Sequence, residues 1–297
     1  MKSRMCCGIA LVQVLIMVAM ISLFLLYIQQ VNSAKIKQTE RVKLRANAEA
    51  ALQSAKAEVE FQLLTNSKQL VDAHNNFDQE DNRRNWNLHG KRFPLEGNVY
   101  ASIQDHAGLI SIHHYSSLRM TRALKALGMN ETQALKLISA LRDWQDEDSS
   151  TADVGIDGVV DYKIRNGLVS QISELSWFSS LDEKMLKQVT SLFTTHFNGE
   201  FNPLTAPDNL LRAEVGEDYG DNIVALRDNG QLTVNQFQNL TGVVRGDGIR
   251  FSPSNWFSVL LEYSEQDITI RRKYVLNVSP YSKSKKPVVL LEESSIR

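Results

Sequence analysis

The chain begins with a long apolar run. Residues 9–28 read IALVQVLIMVAMISLFLLYI, with 18 apolar residues out of 20 and no charge. At a rise of about 1.5 Å per residue, such a helix spans about 30 Å, which is the hydrocarbon thickness of a bilayer. Lys2 and Arg4 precede the run, and the next basic residue is Lys35. We therefore expect residues 9–30 to cross a membrane, with a cytoplasmic N-terminus and an exported remainder.

Helical periodicity continues after this run. Residues 35–64 contain neither Pro nor Gly and are rich in Ala, Glu, Lys and Leu. Their apolar positions, which include Val42, Leu52, Val59 and Leu63, follow the spacing of one helix face. The pattern predicts that the membrane helix continues outward over residues 31–64.

The rest of the chain changes from strand-like to helical patterning and back. Residues 65–98 are polar and predict a loop leading into a strand, and GNVYASIQDHAGLISIHHYSS then predicts a β-hairpin. Helices are predicted for SSLRMTRALKAL, for NETQALKLISALRDW with Asn130 as N-cap and Gln133 as capping-box partner, and for SQISELSWF, DEKMLKQVTSLFTTHF and APDNLLRAEV. WFSVLLEYS, DITIRRKYVLNV and KPVVLLEE alternate as three strands. This order predicts an α+β fold, in which a sheet domain of residues 65–115 and 246–297 carries an inserted helical domain of residues 116–245.

Composition narrows the class of protein. The 297 residues hold 33 Lys+Arg against 34 Asp+Glu and are 43% apolar, which excludes a disordered tail and a basic nucleic-acid coat. Cys6 and Cys7 are the two cysteines of the chain, and both precede the apolar run. Nothing after that run can therefore form an internal disulfide or a thiolate metal site.

Gly8 directly precedes the apolar run. A short basic leader ending in Gly, followed by an apolar segment that continues as a helix, resembles the leader of type IV pilins and type II secretion pseudopilins. The resemblance implies that a prepilin peptidase cuts between Gly8 and Ile9 and that the new N-terminus is methylated. A cleaved secretory signal is the alternative, but the apolar run is long and IQQVNSAK at its end offers no small-x-small cleavage site.

Gln13 occupies the fifth position after the expected cut. Most pilins carry Glu there, and that carboxylate is thought to neutralise the N-terminal amine of the previously assembled subunit within the membrane. A neutral amide cannot supply this countercharge, and an unpaired charge in hydrocarbon costs several kcal/mol. Gln13 therefore favours a subunit that starts a filament, and the alternative is a tolerated polar residue in a simple anchor.

An acidic segment lies between Arg142 and Lys163. It holds seven carboxylates and no basic residue: Asp143, Asp146, Glu147, Asp148, Asp153, Asp157 and Asp161. Such a cluster repels itself unless it is solvated or neutralised by a cation. Asp146 and Asp157 span twelve positions, as in an EF-hand, but Thr151 occupies the position of the required Gly and the last ligand is not Glu. A calcium-binding loop of another kind and a solvated acidic loop both remain open.

The whole pattern resembles the general secretion pathway protein K family, the large minor pseudopilins of type II secretion. The resemblance is carried by the leader with Gly8, by a non-acidic fifth residue, and by the segments AGLISI, LISALRDWQDED, DYKIRNGLVSQISEL, FNPLTAPDNLL and SNWFSVLLEYS. It covers nearly the full chain through the order and spacing of these segments. It implies a pilin-like long helix packed on an antiparallel sheet, with a large inserted helical domain and no enzymatic activity.

The resemblance also implies a metal and partners. In this family the segment after the Trp binds Ca²⁺, which here involves Asp146, Asp148 and, further on, Asp153, Asp157 or Asp161. The family usually has Gly-Ala-Glu-Asp before its Tyr, whereas this chain has VGIDGVVDY. The implied role is a pseudopilus tip subunit that assembles with the minor pseudopilins I and J, and with H as a further partner. The other implied partners are the prepilin peptidase and the inner-membrane assembly platform. The resemblance implies no nucleic-acid partner.

Other functions have weaker support. His106, His113 and His114 suggest a metal or base site, but adjacent residues of a predicted strand point to opposite faces. ALGMNETQALKLI is similar to a helix-hairpin-helix DNA-binding turn, yet the acidic segment nearby opposes phosphate binding. A minor pilin of a related type IV pilus is the closest alternative to the secretion subunit.

Overall fold

The computed structural model describes residues 7–66, 86–147, 166–178, 181–281, 283 and 286–296. The chain divides into two units, Met1–Ala51 and Leu52–Arg297, and each is described separately.

The N-terminal unit consists of the first part of helix α1, which runs over Cys7–Asn66. No Gly or Pro interrupts the sequence between Ile9 and Asn66, so no residue breaks the hydrogen-bond ladder. The side chains of residues 11–30 are all exposed and almost all apolar. Within the described ranges, α1 is the one helix that is long and apolar enough to cross a membrane.

The C-terminal unit contains a five-stranded antiparallel sheet. In the order in which they pair, its strands are β1 (His89–Pro94), β2 (Val99–Asp105), β5 (Trp256–Glu265), β6 (Ile268–Val278) and β7 (Val288–Ile296). Buried and less buried residues alternate along β5, and the last turns of α1 bury Leu52, Val59 and Leu63. Lys56 Nζ of α1 lies 4.5 Å from the ring centroid of Tyr274 in β6. The α+β class with a long helix packed on an antiparallel sheet is confirmed.

Between β2 and β5 the chain forms a mainly helical region. Its helices are α2 (Ser117–Ala126), α3 (Glu131–Gln145), α4 (Leu175–Phe178), α5 (Glu183–Thr190), α6 (Asp208–Val215), α7 (Glu217–Asp228) and α8 (Val234–Thr241). One cluster of buried apolar residues from Leu109 to Ile249 forms its core. The predicted capping box is present, because Asn130 Oδ1 accepts from Gln133 N–H at 2.8 Å and Gln133 Oε1 accepts from Asn130 N–H at 3.0 Å.

The predicted hairpin after residue 97 is wrong. After β2 the Asp105 side chain accepts a hydrogen bond from Ala107 N–H, and His106–Gly108 form a turn of 3₁₀-helix. This turn takes the chain out of the sheet. Strand β3 (Ile110–Ser111) then pairs in parallel with β4 (Phe193–Thr194), and β2 pairs with β1 and β5 instead.

Two predicted helices are shorter than expected. The segment DEKMLKQVTSLFTTHF is helical only as far as Thr190, because Phe193 and Thr194 pair with Ile110 and Ser111. SQISELSWF forms a 3₁₀ turn at Ile172–Glu174 and the one-turn helix α4. In both places tertiary pairing and packing override the helical pattern of the sequence.

Candidate functional site

The predicted processing residues lie at the start of α1. Gly8, Ile9 and Gln13 occupy its first two turns, and the Gln13 side chain is exposed among apolar neighbours. The sequence holds no carboxylate from Cys7 to Thr39. Cleavage and methylation at Gly8 and Ile9 stay predictions.

The predicted calcium ligands lie mostly outside the described residues. This holds for Asp148, Asp153, Asp157 and Asp161, whereas Asp146 is described. Asp146 is half-buried at the end of α3, and its backbone N–H bonds the carbonyl oxygen of Arg142 at 2.9 Å. The described residues contain no group of three or more His, Cys, Asp or Glu side chains placed to hold a metal ion.

Hydrogen bonds connect the start of the acidic segment to residues that follow it, and these bonds are called the closure of the segment below. Gly167 N–H donates to the Trp144 carbonyl oxygen at 3.5 Å, and Val169 N–H donates to Gln145 Oε1 at 3.5 Å. Gln145 Nε2 in turn donates to the Ile112 carbonyl oxygen at 3.0 Å. Residues at the start of the acidic segment are thus connected to residues that follow it and to the chain after β3.

Glu174 is buried beside this closure. Its Oε2 accepts from Trp144 Nε1 at 3.2 Å, and its Oε1 accepts from the N–H groups of Ser170 and Gln171 at 3.0 and 3.2 Å. These three donors hold the carboxylate between α3 and the turn before α4. The segments LISALRDWQDED and DYKIRNGLVSQISEL, which carry part of the family resemblance, therefore meet through Trp144 and Glu174.

Asp105 joins the sheet to the helical region. Its carboxylate is fully buried and accepts from Ser254 N–H at 3.0 Å, from the Ser254 hydroxyl, from Ala107 N–H at 3.1 Å and from the Thr205 hydroxyl at 2.9 Å. Burial raises the pKa of Asp105, although these four donors act in the opposite direction. Residues 107, 205 and 254 belong to AGLISI, FNPLTAPDNLL and SNWFSVLLEYS, so three further segments of the resemblance meet here.

His106 lies beside this junction and is also buried. Its Nδ1 is 2.6 Å from Thr194 Oγ1, and its Nε2 is 2.9 Å from Ser258 Oγ. Burial lowers the pKa of His106 to about 3, with smaller contributions from His196 and Lys273. The imidazole is therefore neutral near pH 7 and bridges β4 to β5.

The three histidines considered for catalysis do not share a site. His113 Nε2 is 2.8 Å from the Val169 carbonyl oxygen, whereas His106 bonds Thr194 and Ser258. His114 is exposed. His113 and His114 follow β3 at a bend, so the expectation that they alternate along a strand is wrong.

Arg227 forms a second link between the sheet and the helical region. It is 8% exposed, and its Nη1 donates to the Ala206 carbonyl oxygen at 2.6 Å. Its guanidinium also pairs with Asp208 and Asp228, and Lys91 of β1 pairs with the same two carboxylates. Sequence reasoning missed Asp105, Glu174 and Arg227, because single charged residues give no signal until the fold buries them.

The chain is similar in part to known proteins. Residues 98–195 match the family model of type II secretion system protein K. The type II secretion system protein K of Klebsiella pneumoniae is 27% identical over 126 residues, which cover 36% of this chain and 39% of that protein. A chain of the crystal structure of the GspK-GspI-GspJ complex from the enterotoxigenic Escherichia coli type 2 secretion system has a TM-score of 0.52 at 14% identity, covering 86% of this chain and 99% of that one.

The chain therefore has a fold similar to that of the matched chain: a long N-terminal helix, apolar enough to cross a membrane in its first part, followed by an antiparallel sheet with added helices. The segment that matches the family model, residues 98–195, contains the acidic segment and the Trp144–Glu174 contact. This part of the chain is similar to type II secretion system protein K, as the resemblance predicted. The aligned region spans about two fifths of the length of the Klebsiella relative.

Proposed function

We propose that this protein is a minor pseudopilin of the type II secretion system that lies at the tip of the pseudopilus. There it initiates assembly with the minor pseudopilins I and J, and with H as a further partner, and supports protein export across the outer membrane. It is held in the inner membrane by one pass, with the N-terminus cytoplasmic and the C-terminal unit periplasmic. Its role is structural rather than enzymatic.

One observation carries the proposal: a protein K domain follows a membrane-length helix that has no carboxylate between Cys7 and Thr39. A subunit beneath others in a pilus needs a negative charge in this helix to pair with a neighbour's amine. Gln13 cannot provide that charge. The subunit that starts the filament does not need it, and the helical region between β2 and β5 gives this subunit more bulk than the sheet alone.

Processing is tested on the full chain. When it is produced with the prepilin peptidase, the mass of the purified protein should correspond to residues 9–297 with a methylated N-terminus. Gly8→Val should leave residues 1–8 in place, because the peptidases of this class cut after Gly. An unprocessed wild-type chain would contradict the pseudopilin assignment.

Assembly is tested by co-expressing the full chain with the minor pseudopilins I and J of the same bacterium and purifying the complex in detergent. We expect a stable heteromeric complex and a loss of secretion when this chain is deleted. Delivery of the chain to the assembly platform is measured in the same strains by crosslinking in the membrane. No complex together with normal secretion in the deletion strain would overturn the proposal.

We further propose that the acidic segment binds Ca²⁺ through Asp146, Asp148 and one or more of Asp153, Asp157 and Asp161. Carboxylate oxygens are the ligands that this cation prefers, and Asp146 is fixed at the end of α3 beside the closure of the segment. When bound, the ion would neutralise the carboxylates.

The calcium proposal is tested by thermal unfolding of the full chain in detergent. We expect about 1 mM Ca²⁺ to raise the unfolding temperature and a chelator to reverse this, since a ligand that binds only the folded state stabilises it. Asp146→Asn should reduce the shift, whereas Glu131→Gln at the opposite end of α3 should not. A temperature unchanged by Ca²⁺ in the wild type would refute calcium binding.

A further inference from the structure

Strand β7 forms one edge of the sheet, and it is exposed along almost its whole length. All of its residues from Val289 to Ile296 are exposed, and the apolar side chains Val289, Leu290, Leu291 and Ile296 are 40–44% accessible. In the part of the chain that the structure describes, no strand pairs with β7 on the side away from β6. A long apolar edge of this kind is a template for another strand.

The opposite edge of the sheet is built differently. Strand β1 has six residues, a register shift between His89 and Arg92, and Pro94 at its end. Its Lys91 and Arg92 pair with carboxylates of this chain. Short length, an irregular register, charge and proline all discourage added strands. Of the two edges of the sheet, β7 is therefore the one that can accept an added strand.

The backbone direction of β7 follows from its pairing with β6. Ser279 N–H donates to the Pro287 carbonyl oxygen at 2.8 Å, and Val278 N–H points away from β7 to the Asn255 carbonyl oxygen. Because hydrogen-bonding direction alternates along an antiparallel strand, the N–H groups of Val288 and Leu290 point outward, away from β6. These groups can pair with an incoming strand without disturbing the existing ladder.

The side chains of β7 divide into two halves. Val288, Val289 and Leu290 lie before the register shift at Leu291, and Glu292 and Glu293 lie after it. A second copy pairing antiparallel over all nine residues would place Leu291 opposite Glu293 and Glu292 opposite the other Glu292. In this register Val288 would face Ile296, but Val289, Leu290 and Leu291 would each face a polar residue, and like charges directly opposite destabilise a pair of strands. A different protein, with a segment that is apolar at one end and basic at the other, fits this edge better than a second copy does.

We propose that the outer edge of β7 pairs with an extended segment of a partner minor pseudopilin, apolar opposite Val288–Leu290 and basic opposite Glu293, whereas Glu292 Oε1 already lies 3.3 Å from His196 Nε2 of this chain. Pairing at a sheet edge gives affinity through main-chain hydrogen bonds and specificity through the facing side chains. This inference rests on the proposed function, because that function supplies the partners.

The test uses the full chain in detergent with the minor pseudopilins I and J. Leu290→Pro removes one outward N–H, and the matched control Leu290→Thr keeps that N–H on a good strand former. We expect Leu290→Pro to weaken the complex about tenfold, as for the loss of one or two hydrogen bonds, and Leu290→Thr to weaken it less. Glu293→Lys should weaken it more than Glu293→Gln, because it also repels the basic residues of the partner.

The outcomes are distinct. If the wild type forms no complex, the proposed function fails together with this inference. If the wild type forms the complex and both Leu290→Pro and Glu293→Lys bind as tightly as the wild type, the pairing at β7 alone is wrong. If Leu290→Pro lowers the unfolding temperature of the isolated chain, the binding of Glu293→Lys compared with Glu293→Gln decides whether β7 pairs with the partner. A full chain that is a dimer by mass, and a monomer as Leu290→Pro, would assign the edge to a second copy and overturn the inference.

Discussion

Gly108 lies so close to Thr205 that a β-carbon on residue 108 would be 2.1 Å from the Thr205 carbonyl oxygen. The sheet and the helical region approach each other here with no room for a side chain, and the bond from Thr205 to Asp105 is three residues away. We expect Gly108→Ala to lower the free energy of unfolding by about 3 kcal/mol, because backbone must move to relieve the overlap.

The control for this substitution is Gly97→Ala. A β-carbon at residue 97 would meet nothing within 4 Å, but its φ is +65°. Backbone strain alone should then cost about 1 kcal/mol. Urea unfolding of the full chain in detergent measures both values, and equal losses at the two glycines would contradict the close approach.

Asp105 has four hydrogen-bond donors directed at it. Asp105→Asn places an amide N–H₂ group against some of these donors, and we expect a loss of about 2–3 kcal/mol. Thr205→Val removes one donor and should cost about 1 kcal/mol. Unfolding of the two variants measures which one loses more free energy of unfolding. A larger loss for Thr205→Val than for Asp105→Asn would show that the carboxylate is not the centre of the junction.

His106 makes stability depend on pH. Its pKa is about 3 in the folded protein, whereas an unfolded histidine titrates near 6.5, so the unfolded chain binds the proton more tightly. The contribution of His106 to the free energy of unfolding is therefore greatest above about pH 6.5. It decreases by about 1.4 kcal/mol per pH unit as the pH falls toward 3. His106→Gln should flatten this dependence and His114→Gln, at an exposed site, should not. A profile unchanged by His106→Gln would contradict the prediction.

Arg227 and Lys91 contact the same two carboxylates from different depths. Arg227 is buried, so Arg227→Met leaves the Ala206 carbonyl and Asp208 without this partner, and we expect a loss of about 3 kcal/mol. The Lys91 side chain is 38% exposed, and Lys91→Met should cost less than about 1 kcal/mol. Thermal unfolding in low and high salt distinguishes them, since added salt should weaken the contribution of Lys91 more.

Sequence patterns predicted those elements whose signals are local. The helix α1, the capping box of Asn130 and Gln133, and the strands β5, β6 and β7 all have their evidence within a few residues. Asp105 has no such evidence, because its partners Thr205 and Ser254 are 100 and 149 positions away. The hairpin prediction was wrong for the same reason: alternation predicted strands but not that β2 pairs with β1 and β5.

The candidate sites follow the same division. The leader, Gln13 and the acidic segment are each local patterns of the sequence, so they could be proposed as candidates from it, and their roles stay predictions. The closure by Trp144, Gln145 and Val169 could not, since it depends on backbone groups that every residue carries. The outer edge of β7 required the strand order, which no single segment contains.

The pairing of β2 with β5 gives a simple description of the sheet. Asp105, the last residue of β2, lies opposite Phe257, the second residue of β5, so the helical region leaves and returns between neighbouring strands. If this region were replaced by a short turn, the five strands would follow one another as an uninterrupted antiparallel meander. The helical region can therefore be regarded as an enlarged hairpin loop, and its sequence could lengthen, shorten or acquire new contacts without altering any register of the five-stranded sheet.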